Sequence, residues 1–226
     1  MKTTLKTVFI LFSLAFMASA EAKAQEAINL DLDIASRYVW RGTDFGNSPS
    51  LQPGISFAAG NLEIGGWAAF ATTGSAAGSE IDWFAAYSLD LGKSGGLAFS
   101  ITDYTFPDDP ATNYFDSEAH FLELGAGYTG PESFPVSLTA GVFVTNDDDN
   151  SVYAEIGYPV SAFDVFVGFT PHEAEMYGTG KAGVINSGIS TGREIQVSET
   201  FSFTLTSTAI MNFYDENAFF LVGISL

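Results

Sequence analysis

From Ile28 to the last residue, apolar and polar side chains alternate with a period of two, which reads as strands rather than as the 3.6-residue repeat of helices. In Ile28–Trp40 the even positions are Ile28, Leu30, Leu32, Ile34, Ser36, Tyr38 and Trp40. The odd positions are Asn29, Asp31, Asp33, Ala35, Arg37 and Val39, with Arg41 next. Taken as one strand, this run is far longer than the usual five or six residues. The pattern recurs with Leu51, Ile55 and Phe57, then with Leu62, Ile64, Ala68 and Phe70, and then from Ile81 to Leu91. Further runs centre on Phe99, Leu124, Val142, Ile156 and Val167. Three more cover about Gly183 to Ile195, Phe201 to Asn212 and Asn217 to Leu226. The alternation thus predicts twelve strands, or ten if the weakly patterned Gly183–Ile195 run is loop.

The connections between these runs alternate in length. Thr43–Pro49, Thr72–Ser79, Pro107–Ser117, Asn146–Asn150 and Pro171–Ala182 are the longer ones. Gly60-Asn61, Gly92–Gly96, Gly130–Pro135, Ser161-Ala162 and Val197–Thr200 are generally shorter, and Tyr214–Glu216 is a short exception among the first set. An all-β, antiparallel transmembrane barrel has this asymmetry, with short periplasmic turns and longer outer loops, and an even strand count leaves both chain ends on the periplasmic side. Strands of about ten residues match a bilayer when tilted by ~45°. Tyr38, Trp40, Trp83, Tyr87, Tyr128 and Tyr158 fall near strand ends on the apolar parity, where an interfacial aromatic girdle is expected. The chain ends on the alternate apolar residues Phe220, Val222, Ile224 and Leu226, an amphipathic last strand of the kind that barrel-assembly machinery recognises.

Met1–Ala24 has the pattern of a cleaved secretory signal. Lys2 and Lys6 precede an uncharged stretch, Thr7–Ala20, and the small residues Ala22 and Ala24 flank Lys23 at the preferred cleavage site. The stretch is shorter than the ~20 residues a spanning helix needs. Residues 25–226 then form a single barrel domain, exported through the inner membrane to the outer membrane. The full chain of 226 residues carries 27 acidic and 8 basic side chains and no cysteine. That balance excludes nucleic-acid binding through a basic patch, and it excludes thiol-ligated metals. The partners expected are outer-membrane lipid and lipopolysaccharide, with the oligomeric state left open.

Ser36-Arg37-Tyr38-Val39-Trp40-Arg41-Gly42, followed by Pro49-Ser50-Leu51-Gln52-Pro53-Gly54, resembles a bacterial family known as the TorF porins, earlier described only as conserved proteins of unknown function. Gly65-Gly66-Trp67-Ala68 and the final hairpin extend the resemblance over residues 25–226. It implies an outer-membrane location, a barrel fold and a porin role, and brings no catalytic residues with it.

In a barrel the polar parity faces inward, which places Asp31, Asp33, Arg37, Arg41, Glu63, Asp82, Glu123 and Glu155 in the lumen, with Asp90 and Arg193 as further candidates. Arg37 and Arg41 are set to pair with Glu63, Glu123 or Glu155 at a constriction. Asp108, Asp109, Asp147, Asp148 and Asp149 make an acidic mouth. Like-sign charge selects counter-ions, so the expected activity is a narrow, passive, cation-preferring channel for ions and small solutes. Two other readings stay open: a plugged barrel acting as a surface binding or structural protein, and a soluble periplasmic β-sandwich that binds a ligand. The aspartate run lacks the spacing of a calcium loop, and neither His120 nor His172 sits in a hydrolase motif. No enzyme activity, metal or cofactor is therefore expected.

Overall fold

The computed structural model describes residues 27–107 and 113–226, so the expected signal segment and the acids Asp108 and Asp109 lie outside the described residues. The strands in chain order are β1 (Ala27–Ala35), β2 (Tyr38–Trp40), β3 (Thr43–Phe45), β4 (Ser50–Ala59), β5 (Leu62–Ala71), β6 (Glu80–Asp90) and β7 (Gly96–Thr105). They continue as β8 (Phe121–Thr129), β9 (Ser137–Phe143), β10 (Val152–Val160), β11 (Phe163–Thr170), β12 (Gly183–Gln196), β13 (Ser202–Asn212) and β14 (Asn217–Ser225). Twelve of them, β1 and β4 through β14, form a closed antiparallel barrel in sequence order, with β1 laddered to both β4 and β14. The weakly patterned tenth run is a full wall strand, β12. Among the described residues the helical segments are short 3-10 turns in the connections.

Alternation sets which face each strand buries. The outward parity carries Ile34, Ile55, Ile64, Ile101, Leu124, Ile156, Val167, Leu205 and Val222, all well exposed, so the barrel wears its apolar groups on the outside. Inward-facing positions are mostly polar or small, apart from a set of large side chains, among them Trp67, Tyr104, Phe143, Tyr153, Phe166 and Ile210, that pack in the interior. Following the register once around the wall displaces a starting residue by about 16 positions, a shear that with twelve strands gives a tilt near 45° and a backbone diameter of about 24 Å. A cylinder that wide is not filled by its own wall side chains, in contrast to an eight-stranded barrel.

The chain supplies a filling. The alternating run predicted as one strand to Trp40 leaves the wall at Ala35, and residues 38–45 fold inside as the separate β2–β3 hairpin. Tyr38 and Trp40 are therefore buried in the interior and not part of an outward aromatic girdle. Period-two alternation continues through both segments because each is a strand, so the pattern alone does not mark the change of direction. Trp83, Tyr87 and Tyr158 do face outward and exposed, and Tyr128 faces outward with its hydroxyl donating to the Ser94 carbonyl oxygen. Arg193 also lies on the outward parity, opposite Leu205, rather than in the lumen.

Pro53 sits within β4 opposite Leu32. The β4–β5 ladder is interrupted at Gln52 and Pro53 and resumes at Gly54–Trp67 in the same register. The missing proline N–H is thus absorbed as a gap rather than a bulge.

Arg41 and Gly42 make the two-residue turn of the β2–β3 hairpin, with φ of 48° and 82°. Two positive φ values in a two-residue hairpin loop have the signs of a type I′ turn, which matches the right-handed twist of the strands it joins. A Cβ on Gly42 would stand 1.9 Å from the Ile185 carbonyl oxygen, whereas one on Gly60, also at positive φ, meets nothing within 4 Å. Gly60→Ala should cost only the left-handed backbone, about 1–2 kcal/mol, and Gly42→Ala about 3 kcal/mol once overpacking is added. Urea unfolding of the two refolded variants, followed by tryptophan fluorescence, checks that order.

Candidate functional site

The interior site begins where β1 stops. Ser36 takes the next wall position through both backbone and side chain: its N–H donates to the Val222 carbonyl oxygen at 2.8 Å, and its Oγ accepts from the Val222 N–H at 3.0 Å. The chain then turns inward. Arg37 pairs with Asp44 across the hairpin and stays partly exposed. The Tyr38 hydroxyl donates to Glu80 at 2.9 Å, and its ring packs on Phe45 and Trp67, each 5.4 Å away between centroids. Trp40 lies among Tyr104 at 5.5 Å, Tyr177 at 5.6 Å and Phe143 at 6.4 Å.

Arg41, at the hairpin tip, is 2% exposed and Glu123 on β8 is equally buried. The guanidinium grips the carboxylate as a fork, Nη1 to Oε1 at 2.5 Å and Nη2 to Oε2 at 3.0 Å. The Tyr104 hydroxyl donates a third hydrogen bond to Glu123 at 2.8 Å, and Arg41 also donates to the Tyr177 hydroxyl. The rings of Trp40 and Tyr153 lie 4.5 Å from the guanidinium carbon. Taking two charges out of water costs several kcal/mol per ion, so the pair is sustained by its bidentate geometry, the phenols and two desolvated cation–π contacts of about 2 kcal/mol each.

Wall glycines make room for this cluster. A Cβ on Gly141 would meet Glu123 Oε1 at 2.1 Å, and one on Gly168 would meet the Tyr153 hydroxyl at 2.0 Å.

A second insertion meets the first. The β11–β12 connection folds in through a single 3-10 turn, Glu175–Tyr177, closed by the Ala174–Thr179 bridge, and it buries Ala174, Tyr177 and Thr179. Asn212 Nδ2 donates to the Gly42 carbonyl oxygen at 3.2 Å, tying the hairpin tip to β13. All these groups sit in the half of the barrel nearer the longer connections. The inward faces of the other half carry small residues, among them Ala98, Ser100, Gly125, Gly127, Ser137, Thr139 and Gly157, which line a vestibule.

Of the charged residues expected inside, the structure gathers Arg41, Glu123, Asp82 and Glu155 around the hairpin. Asp82 is buried beside Glu80, with Oδ1 unpartnered, and Glu155 accepts from Tyr153 and, at 3.0 Å, from Asn186. Asp31 and Glu63 face inward in the vestibule half, opposite Gly54 and Ala58, while Asp33, opposite the buried Gln52, lies on the hairpin side near Arg41; none of the three is paired with either arginine. Of the acidic mouth, Asp147 accepts from Ser151 at its N–H and hydroxyl, and Asp149 accepts from the Glu175 N–H at 3.0 Å; both brace neighbouring loops. Phe220, Val222 and Ile224 face outward on β14, and the Leu226 N–H donates to the Leu32 carbonyl oxygen at 3.0 Å. Sequence reasoning did not single out Glu80, Tyr104, Tyr153, Tyr177, Asn186 or Asn212. Large aromatics on the polar parity of β7 and β10 were the available signal.

On the outer wall, His120 bridges Asp103 and the loop preceding it. Nδ1 lies 2.8 Å from Asp103 Oδ2 and Nε2 lies 2.8 Å from the Tyr114 carbonyl oxygen. Both partners are acceptors, which the doubly protonated ring satisfies at once, and the hydrogen bond to Asp103 above all raises the His120 pKa. A pKa raised by folding gives stabilisation that is complete below the unfolded value and is lost as pH rises through the folded one. Asp103→Asn should lower the His120 pKa, read from its ring-proton NMR titration. In the wild-type protein, amide exchange over residues 113–120 should accelerate across the same pH step.

The profile of a family described as “Bacterial protein of unknown function (Gcw_chp)” matches residues 19–167, a span that takes in the hairpin, Glu80, Tyr104, Glu123 and Tyr153. No curated protein matches the chain.

Proposed function

We propose, from the premise that the chain belongs to the Gcw_chp family of bacterial proteins of unknown function, that this member is an outer-membrane barrel stoppered by its own β2–β3 hairpin. The observation that carries the reading is the burial of Tyr38, Trp40 and Arg41 inside a barrel whose apolar side chains face outward. An outward belt of Ile, Leu, Val and Phe suits lipid, and closure of the sheet leaves no unpaired edge around most of the wall. The signal segment and the amphipathic last strand support export and insertion by the barrel-assembly machinery. Lipid and lipopolysaccharide are then the surroundings of the belt and of the longer loops.

The resemblance to porins rests largely on Ser36–Gly42, and those residues form the stopper and its entry into the lumen. The channel reading therefore takes a gated form: closed while Arg41 holds Glu123, and passing ions or small solutes when the hairpin moves. Asp31, Asp33, Glu63, Asp82 and Glu155 line the path with negative charge, so the opened lumen prefers cations. No catalytic step is assigned.

Planar-bilayer recording of the refolded protein tests this. The wild type should be silent, and Arg41→Ala or Glu123→Gln should give discrete steps with cation-biased reversal in a salt gradient. Breaking a buried pair from one side costs about 3–5 kcal/mol, enough to shift a closed–open ratio by at least ~10². Heat-modifiable gel migration confirms that each variant is a folded barrel. Wide open steps from the wild type would reject the stopper, and folded but silent variants would favour a permanently plugged binding or structural protein.

A further inference from the structure

The wall is weakest where it closes. The β1–β14 ladder is short, Asp33–Ala35 against Gly223–Ser225 with flanking hydrogen bonds at Ser36–Val222 and Leu32–Leu226, and because β1 turns inward after Ser36, β14 over Asn217–Leu221 is laddered to β13 alone. A cavity of about 40 Å³ lies against this seam. Its lining includes the inward-facing Ile210 and Leu221 together with consecutive residues of both seam strands, Asp33–Ala35 and Leu221–Ser225, so it lies directly against the closure of the wall.

Two polar residues in the lining keep an atom unpaired. Arg41 is 2% exposed and its Nε–H has no acceptor, although both Nη atoms are engaged; Asn186 is 4% exposed and its Oδ1 has no donor, although Nδ2 serves Tyr153 and Glu155. Burial of a donor and an acceptor without partners is uncommon, and one that recurs on the wall of a single cavity points to an occupant. The rest of the lining is mainly apolar, with Val39, Phe166 and Ile210 packed as one cluster joined by Leu221.

We infer that this cavity binds an uncharged amphiphile whose hydroxyl or primary amide head accepts from Arg41 Nε and donates to Asn186 Oδ1, with its apolar tail leaving through the β1–β14 seam. A hydroxyl or primary amide both accepts and donates, as the two unpaired atoms require. The head is neutral because Glu123 already balances Arg41, and Asp33 in the lining would repel an anion. The cavity takes the head alone, since its volume is that of about three water molecules; the tail lies along Leu221 and Val222 toward lipid. The pocket stands on its own geometry, and only access from lipid rests on the outer-membrane reading.

Photolabelling the detergent-refolded protein with a diazirine-bearing octanol, followed by peptide mapping, tests the site. Adducts should concentrate on Val39, Ile210 and Leu221 and should be competed by excess octanol. They should fall at least fivefold in Asn186→Leu, and likewise in Leu221→Trp, which fills the cavity while leaving the Asn186–Glu155 bond in place. The chain has no cysteine, so Ile34→Cys with Ile224→Cys, register partners across the seam, can be oxidised to lock it. Labelling should drop when the lock is closed and return on reduction. Uncompeted labelling spread over outward residues such as Ile55 and Val167, or labelling unchanged in both cavity variants or under the lock, would overturn the inference and leave water as the occupant. Heat-modifiable migration reports folding separately, and bilayer conductance tests the stopper without reference to this label.

Discussion

The interior is organised by one buried charge. A guanidinium at the tip of a hairpin cannot be left in a dry lumen unpaired, so its position dictates what the surrounding wall must contain. Glu123 provides the counter-charge, Tyr104 and Tyr177 add hydrogen bonds to the pair, and Trp40 and Tyr153 lie against the cation. Gly141 and Gly168 are small because the side chains around that charge need their space. Arg41 itself adopts a positive φ, where asparagine or glycine is the usual choice. The turn accepts that strain, and the guanidinium it carries reaches Glu123 on β8 and the phenols around it.

Barrel diameter explains why such an insertion exists. Twelve strands at this shear enclose more space than inward side chains from the wall can occupy, and over β7 to β10 the wall residues of one half are glycine, alanine, serine and threonine. The hairpin and the β11–β12 connection together take up the other half. Closing one end with inserted chain while leaving the other as a vestibule gives the molecule two unlike ends. A solute could thus occupy the vestibule without crossing.

Strand number, closure, the outward belt and the inward acids were all legible in the sequence, because a period of two is imposed by the pleat and read directly from side chains. Tyr38 and Trp40 were assigned to the wrong side for the same reason. Their alternation is that of a strand, and nothing local says that the strand has left the wall. The informative signals were weaker: a Ser-Arg step where Ser36 replaces an apolar residue, an Arg-Gly pair suited to a two-residue turn, and tyrosines on the polar parity at 104 and 153. Arg41 could be listed among inward charges, but the choice of Glu123 over Glu63 or Glu155 depends on register across the barrel, which is a property of pairing and not of spacing.

The placement of the hairpin directly after the first strand also orders assembly. Joining β1 to β14 unites segments nearly the whole chain apart, and such closures carry the largest entropic cost and come late. The hairpin follows β1 by two residues and meets Glu123, Tyr177 and Asn212, which arrive progressively later along the chain. The growing sheet therefore curls around a stopper that is tethered to its first edge, and the final seam encloses a plug already in hand.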